Sequence, residues 1–242
     1  MNGATVLNLD VKAFVRDGFV RLDGAVPSAV VREVRRAAET LMGAADRPWQ
    51  LGQYSVYDLP ELADAISADV RSALDVLVGH GQWEVAANWG FPTRSAGVAG
   101  PYWHIDGDWF THHVTSCEQV VAPIFLWGDV TPADSPTLLA VGSQAGVARL
   151  LASHEPNGVA GRDIARVVHE AAVVRETRVV EATGRAGDVY LCHPFLAHSI
   201  NPAPPRATRY ISNVAVHGRR PFRTSGEGLC PVEQVIANAF AV

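Results

Sequence analysis

The chain has 242 residues, 48% hydrophobic and 19% charged, with a formal net charge of −5. That is enough for one domain with a sizeable core, the acidic balance argues against a nucleic-acid surface, and no apolar run is long enough for a signal peptide or a membrane span. Three cysteines without CxxC spacing, Cys117, Cys192 and Cys230, suit reduced thiols in a cytoplasmic setting and exclude a zinc–thiolate cluster.

The first part, over about 10–80, reads as helical. Ala13-Phe14 and Phe19-Val20 bracket a charged turn. Pro27-Ser28 then opens a stretch with Val30, Val31, Val34, Ala38 and Leu41 at helical spacing. A second helix is expected over 59–78, closed by Gly79 and Gly81. From about 83 to 217 the texture changes to short apolar runs bounded by Gly, Pro, Asn and Asp, at 85–91, 102–106, 119–127, 137–141, 177–181, 188–193 and 208–216. Such punctuation predicts a mainly β sandwich or barrel with flanking helices. A helical excursion over 144–174, with a Pro156-Asn157-Gly158 turn, interrupts it. It is long for a loop and suits a lid or a substrate-side insertion. No repeat or linker divides the chain, so a single domain over 1–242 is expected.

The chemistry lies in four residues. His104 and Asp106 are two apart in a strand-like run, where i and i+2 share a face. His198 follows the run at 188–193, and Arg209 stands eleven residues beyond it, after a loop carrying Pro202, Pro204 and Pro205. Two imidazoles and a carboxylate suit Fe(II) and leave three coordination positions open. A 2-oxo acid can chelate two of them and O2 can take the third. A buried distal carboxylate then needs a fixed, forked cation. Lys12 is the only lysine among 20 basic residues, so arginine is expected to hold any buried anion. His104-x-Asp106 alone carries little weight; the joint spacing carries the reading.

Those motifs resemble the phytanoyl-CoA dioxygenase-type family of Fe(II)- and 2-oxoglutarate-dependent oxygenases. Trp103-His104-Ile105-Asp106-Gly107 is similar to the family's W-H-x-D segment. Gly187-Asp188-Val189 through His193-Pro194 and His198 is similar to its G-D-V…H-P…H segment. Phe14-Val15-Arg16-Asp17-Gly18-Phe19-Val20 resembles its opening helix and D-G-F turn.

The resemblance implies a double-stranded β-helix, or jelly roll, with flanking helices. It implies iron ligands His104, Asp106 and His198, and 2-oxoglutarate held by Arg209. Trp127, Ser199 and Asn88 are further candidate contacts for the co-substrate. Ser199 lies one position before the family's usual serine, and Gln144 replaces a histidine of its G-S-H motif that is no iron ligand. Related halogenases lack the carboxylate, so Asp106 favours hydroxylation or another oxidation of a small organic substrate over halogenation. A biosynthetic tailoring role fits, with no nucleic-acid or membrane partner. A cupin-like metal enzyme that needs no keto acid, and a non-catalytic binding protein on the same fold, remain as alternatives. His112 and His113 are adjacent and point opposite ways in a strand, so at most one can face the ion, and a surface or loop position is expected for the pair.

Overall fold

A computed structural model describes residues 9–42, 49–57, 59–94, 97, 99–206 and 209–241. The first helix, α1 (Val11–Asp17), starts at Asp10, whose carboxylate accepts the Ala13 N–H at 2.9 Å. It stops at Gly18, which is left-handed at φ 89°. A Cβ there would also collide with Gln144 and Leu196, so glycine is required twice over. Gln144 in turn donates to the carbonyls of Val15 (3.4 Å) and Arg16 (3.2 Å), closing the end of that helix.

In chain order the remaining elements are β1 (Phe19–Leu22), α2 (Ser28–Met42), β2 (Trp49–Ser55), α3 (Leu62–Ala65), α4 (Ala68–Val78), β3 (Trp83–Arg94), β4 (Thr111–His112), β5 (Ala122–Leu126), β6 (Thr137–Ala140), α5 (Ser143–Ala152), β7 (Val159–Ala160), α6 (Gly161–Glu170), β8 (Val179–Glu181), β9 (Val189–Cys192), β10 (His198–Ile200), β11 (Ile211–Gly218) and α7 (Pro231–Phe240). An antiparallel sheet in the order β1-β9-β5-β11-β3-β2 is accompanied by a smaller one, β10-β6-β8, and by the β4–β7 pair. The mainly β, jelly-roll architecture with flanking helices is the one expected.

The period of two along each strand divides the core. Phe125 and Trp127, Val189 and Leu191, and Val214 and Val216 pack into one cluster with the helices. The intervening Ala122, Ile124, Leu126, Tyr190, Cys192 and Ile211 pack with Leu139 of the smaller sheet. All five residues of β5 are buried because helices cover one face and the second sheet the other.

Several expectations change. Phe19-Val20 is not the edge of a turn. It begins β1, an edge strand paired with β9, because Gly18 ends the helix abruptly. The helix expected over 59–78 is broken into α3 and α4 at Ser67, whose hydroxyl accepts the Val70 N–H (3.3 Å) and donates to the Ala25 carbonyl (2.7 Å). Residues 102–106 form no regular strand, only a bridge between His104 and His198. The run at 208–216 begins outside the described residues, at Thr208, and continues as β11 to Gly218.

α7 was not foreseen. It begins with Pro231, and the buried Glu233 carboxylate receives the Cys230 N–H at 3.2 Å, as in a capping box. Arg220 and Arg223 reach the same carboxylate, so the arginine-rich segment after β11 folds onto α7. His193 lies beneath it, fully buried, with Nδ1 accepting the Phe195 N–H (3.1 Å) and Nε2 donating to the Val232 carbonyl (3.2 Å). Asp188, next to the left-handed Gly187, accepts the N–H groups of Gly24 and Arg185, each at 2.8 Å. The Gly-Asp and His-Pro motifs thus brace the scaffold on which His198 sits.

No helix among the described residues is long and apolar enough to cross a membrane.

Candidate metal centre

The segment at 102–106 is held against β10 by its backbone. His104 and His198 exchange N–H···O=C bonds at 3.0 and 2.9 Å, and the Tyr102 N–H donates to Ser199 Oγ at 2.8 Å. Directly opposed residues in such a bridge present side chains on one face, and the two imidazoles lie with centroids 4.5 Å apart. Asp106 completes the group: donor atoms of the three side chains all lie within 4.8 Å of one another. Asp106 Oδ1 is 3.4 Å from His198 Nε2 and 4.0 Å from His104 Nε2.

The ring orientations are set from behind. His104 Nδ1 faces the Tyr102 carbonyl at 2.8 Å, and His198 Nδ1 faces the Leu196 carbonyl at 3.2 Å. A carbonyl can only accept, so each Nδ1 carries a proton and each Nε2 can present a lone pair towards Asp106. Metal–ligand bonds of about 2.1 Å at right angles separate donors by about 3 Å, so a small inward movement suffices. These residues fit a divalent metal held by two nitrogens and one oxygen.

The electrostatics are those of a buried mixed-charge group. Burial alone would raise the Asp106 carboxyl, but His198, His104 and Asn213 outweigh it and hold the carboxyl well below the usual carboxylate range. Burial opposes protonation of His198, and Asp106 reverses that and raises the ring. Burial and the neighbouring His198 depress His104.

A cavity of about 290 Å³ opens at this point, bordered by His104, Asp106, His198, Ser199 and Arg209. Its walls are Ala122, Ile124, Cys192 and Ile211 from the larger sheet, with Thr137 and Ile200 from the smaller one. Arg209 is 3% exposed and donates through Nη1 to the Ser135 carbonyl. Cys192 is a neutral thiol in this wall, its pKa raised by burial and then by Asp106.

The structure thus brings together five of the residues singled out in the sequence and leaves two elsewhere. Trp127 lies on the helix side of β5, stacked on Phe125, and its indole N–H donates to Ser212 Oγ at 2.8 Å. That corrects its expected contact with a co-substrate, because the sheet stands between. Asn88 is exposed on β3, on the face it shares with Gly90, and is not among the residues lining the cavity. Ser199 borders the cavity, but its hydroxyl receives the Tyr102 N–H and donates to the Ile200 carbonyl at 3.2 Å, so it splices the metal segment to β10.

The surface position expected for the histidine pair fails for His112. It is 2% exposed and donates through Nε2 to the Gly107 carbonyl at 2.7 Å. His113 points away and pairs with Glu155 at 2.8 Å. Sequence reading missed Asn213, Thr137 and Cys192 as cavity residues. Asn213, a lone amide in the apolar run of β11, was the available signal.

No family model and no curated protein matches the chain. Solved structures do. The epimerase SnoN, in complex with Fe3+, alpha ketoglutarate and nogalamycin RO, aligns with a TM-score of 0.65 at 17% identity over 86% of this chain and 82% of its own. EctD from S. alaskensis, with 2-oxoglutarate and 5-hydroxyectoine, aligns at 0.63 and 19% over 90% and 78%. The alpha ketoglutarate dependent carbocyclase SnoK from nogalamycin biosynthesis aligns at 0.63 and 16% over 89% and 86%. At these identities the likeness establishes architecture, and the chain carries the jelly-roll fold of iron- and 2-oxoglutarate-dependent oxygenases.

Proposed function

We propose that this chain is a single-domain, cytoplasmic Fe(II)- and 2-oxoglutarate-dependent oxygenase of the phytanoyl-CoA dioxygenase type. It hydroxylates a small organic substrate in secondary-metabolite biosynthesis and releases succinate and CO2. The observation that carries the reading is the meeting of His104, Asp106, His198 and the buried Arg209 around one cavity. The bound ligands of SnoN and EctD support the choice of iron and 2-oxoglutarate.

Iron bound here would activate O2 at the expense of the keto acid and so supply the oxidising power. The protein supplies the rest. Nε2 of His104 and of His198 and one oxygen of Asp106 hold the metal. Arg209 orients the distal carboxylate through a planar pair of donors. The apolar walls from Ala122, Ile124 and Ile211 keep bulk water from the reacting atoms. With Asp106 present, a carboxylate fills the ligand position that a halide would need.

Arg209 separates this reading from a metal enzyme that needs no keto acid. Iron-loaded wild-type protein should convert 2-oxoglutarate to succinate slowly even without substrate. Arg209→Ala should raise the KM for 2-oxoglutarate by about 10²-fold or more, since truncating one partner of a buried ion pair costs about 2–5 kcal/mol. Fe(II) uptake should be unchanged. Succinate formation with an unchanged KM in the variant, or none by wild type under iron and O2, would overturn the proposal.

A further inference from the structure

The Asp106 carboxylate has two oxygens, and the molecule treats them differently. Oδ1 faces both histidines. Oδ2 receives a hydrogen bond from Nδ2 of Asn213 at 3.4 Å. Asn213 sits in the middle of β11 on the cavity face, paired with Ile124 of β5 on one side and Gly90 of β3 on the other. The register of β11 against β3 shifts between Val214 and Val216, directly after it. Bulges of this kind re-aim a neighbouring side chain.

Gly90 is the second observation. It has no positive φ, so its backbone conformation suits any residue, and glycine in a strand interior weakens a sheet. A Cβ at position 90, however, would collide with Oδ1 of Asn213. The missing side chain is a notch for the amide oxygen. With Oδ1 seated there, the amide can turn only its NH2 towards Asp106.

We propose that Asn213 is a positioning residue, seated by Gly90, that ties up Oδ2 of Asp106 so that the carboxylate meets the metal through Oδ1 alone. A carboxylate free to pivot can bind through both oxygens and take one of the three open positions that a keto acid and O2 require. The donor on Oδ2 removes that option. This inference rests on the metal-binding part of the proposed function and not on its choice of co-substrate.

Co(II) is a suitable probe, because its visible absorption reports coordination number without turnover. Asn213→Ala should weaken Co(II) binding by about 10–100-fold, the usual loss for a group that orients a ligand, and should change the intensity of the visible bands. Gly90→Ala should do the same although residue 90 touches no ligand. The double variant should bind Co(II) no more weakly than Asn213→Ala alone, because the new methyl group then has nothing to displace. A structural role for Gly90 would instead add its loss to that of Asn213. Wild-type affinity and spectrum in Asn213→Ala, or additive losses in the double variant, would overturn the proposal. Should wild type take up no Co(II), this inference and the metal reading fall together. The predicted Co(II) pattern without any succinate from the iron form would sink the oxygenase reading and leave Asn213 in its role.

Discussion

His198→Ala should abolish stoichiometric Fe(II) uptake and lower 2-oxoglutarate turnover by about 10³-fold or more, with the fold intact. The size follows from what a metal contributes, several kcal/mol of barrier at tenfold per 1.4 kcal/mol. Losing Nε2 of His198 leaves one imidazole and one carboxylate, and Asp106 loses the nearer of its two histidines, at 3.4 Å against 4.0 Å. The fold should survive because β10 is joined to residues 102–104 by the backbone bonds of positions 104 and 198 and by Ser199, none of which needs the ring. Anaerobic titration with Fe(II), succinate assay and circular dichroism on the same preparation check all three parts. Equal background turnover in variant and wild type would remove the triad from the chemistry. The alternative of a non-catalytic binding protein predicts a different failure: wild type itself would take up well under one Fe(II) per chain.

How much of this was legible differs by residue. The four central positions were legible through spacing, yet the local reason was only partly right. His104 and Asp106 were expected to share the face of a strand. The structure instead has one bridge at His104, and it is the antiparallel facing of His104 and His198 that makes the site. Trp127 was misread because β5 is covered on both sides. A strand buried on both faces has no polar alternation, so the sequence offers no parity by which to tell the cavity side from the helix side. Asn213 did break such a pattern, as a single amide between Ser212 and Val214, and the same parity places it beside Ile211 on the cavity side.

The fold class was legible because short apolar runs with turn residues between them have few other solutions. The misses have local causes. Four residues of β1 directly after a helix offer too short a run to separate from the helix without the conformation of Gly18. The start of α7 carries two recognisable signals, Pro231 and Glu233, but nothing local ties the arginines before it to that helix. Their ion pairs with a carboxylate ten and thirteen residues away belong to tertiary structure.

Acid should destabilise this protein well before its surface carboxylates are all protonated, and His193 should be the main single cause. Burial pushes the ring down to about 3, and the hydrogen bond it donates to the Val232 carbonyl recovers only part of that. In the unfolded chain an ordinary histidine titrates near 6.5. Between about pH 6.5 and pH 3 the unfolded state therefore binds a proton that the folded state refuses, so stability falls as the pH falls, by up to about 5 kcal/mol across the window. That is comparable with the whole stability of a typical domain, about 5–15 kcal/mol.

Glu233 adds to the loss at lower pH. Burial would raise its carboxyl, but Arg220, Arg223 and the N–H groups of Arg223 and Cys230 outweigh burial and hold it at about 2. Its contribution is complete above about pH 4.5 and is lost as the pH falls towards 2. Because both arginines are about 40% exposed, solvent screening leaves it about 1–3 kcal/mol. His193, just after β9, holds α7 through the Val232 carbonyl, and Glu233 ties it to the arginines that follow β11, so the helix should be released as part of the acid transition.

Urea unfolding in the presence of a chelator, from pH 8 to pH 3.5, measures the slope. His193→Gln keeps an amide for hydrogen bonding and cannot titrate. It should be less stable than wild type at pH 7.5, and its stability should fall about one proton less steeply below pH 6.5. Parallel slopes for the two proteins would exclude His193 as the acid-sensitive group.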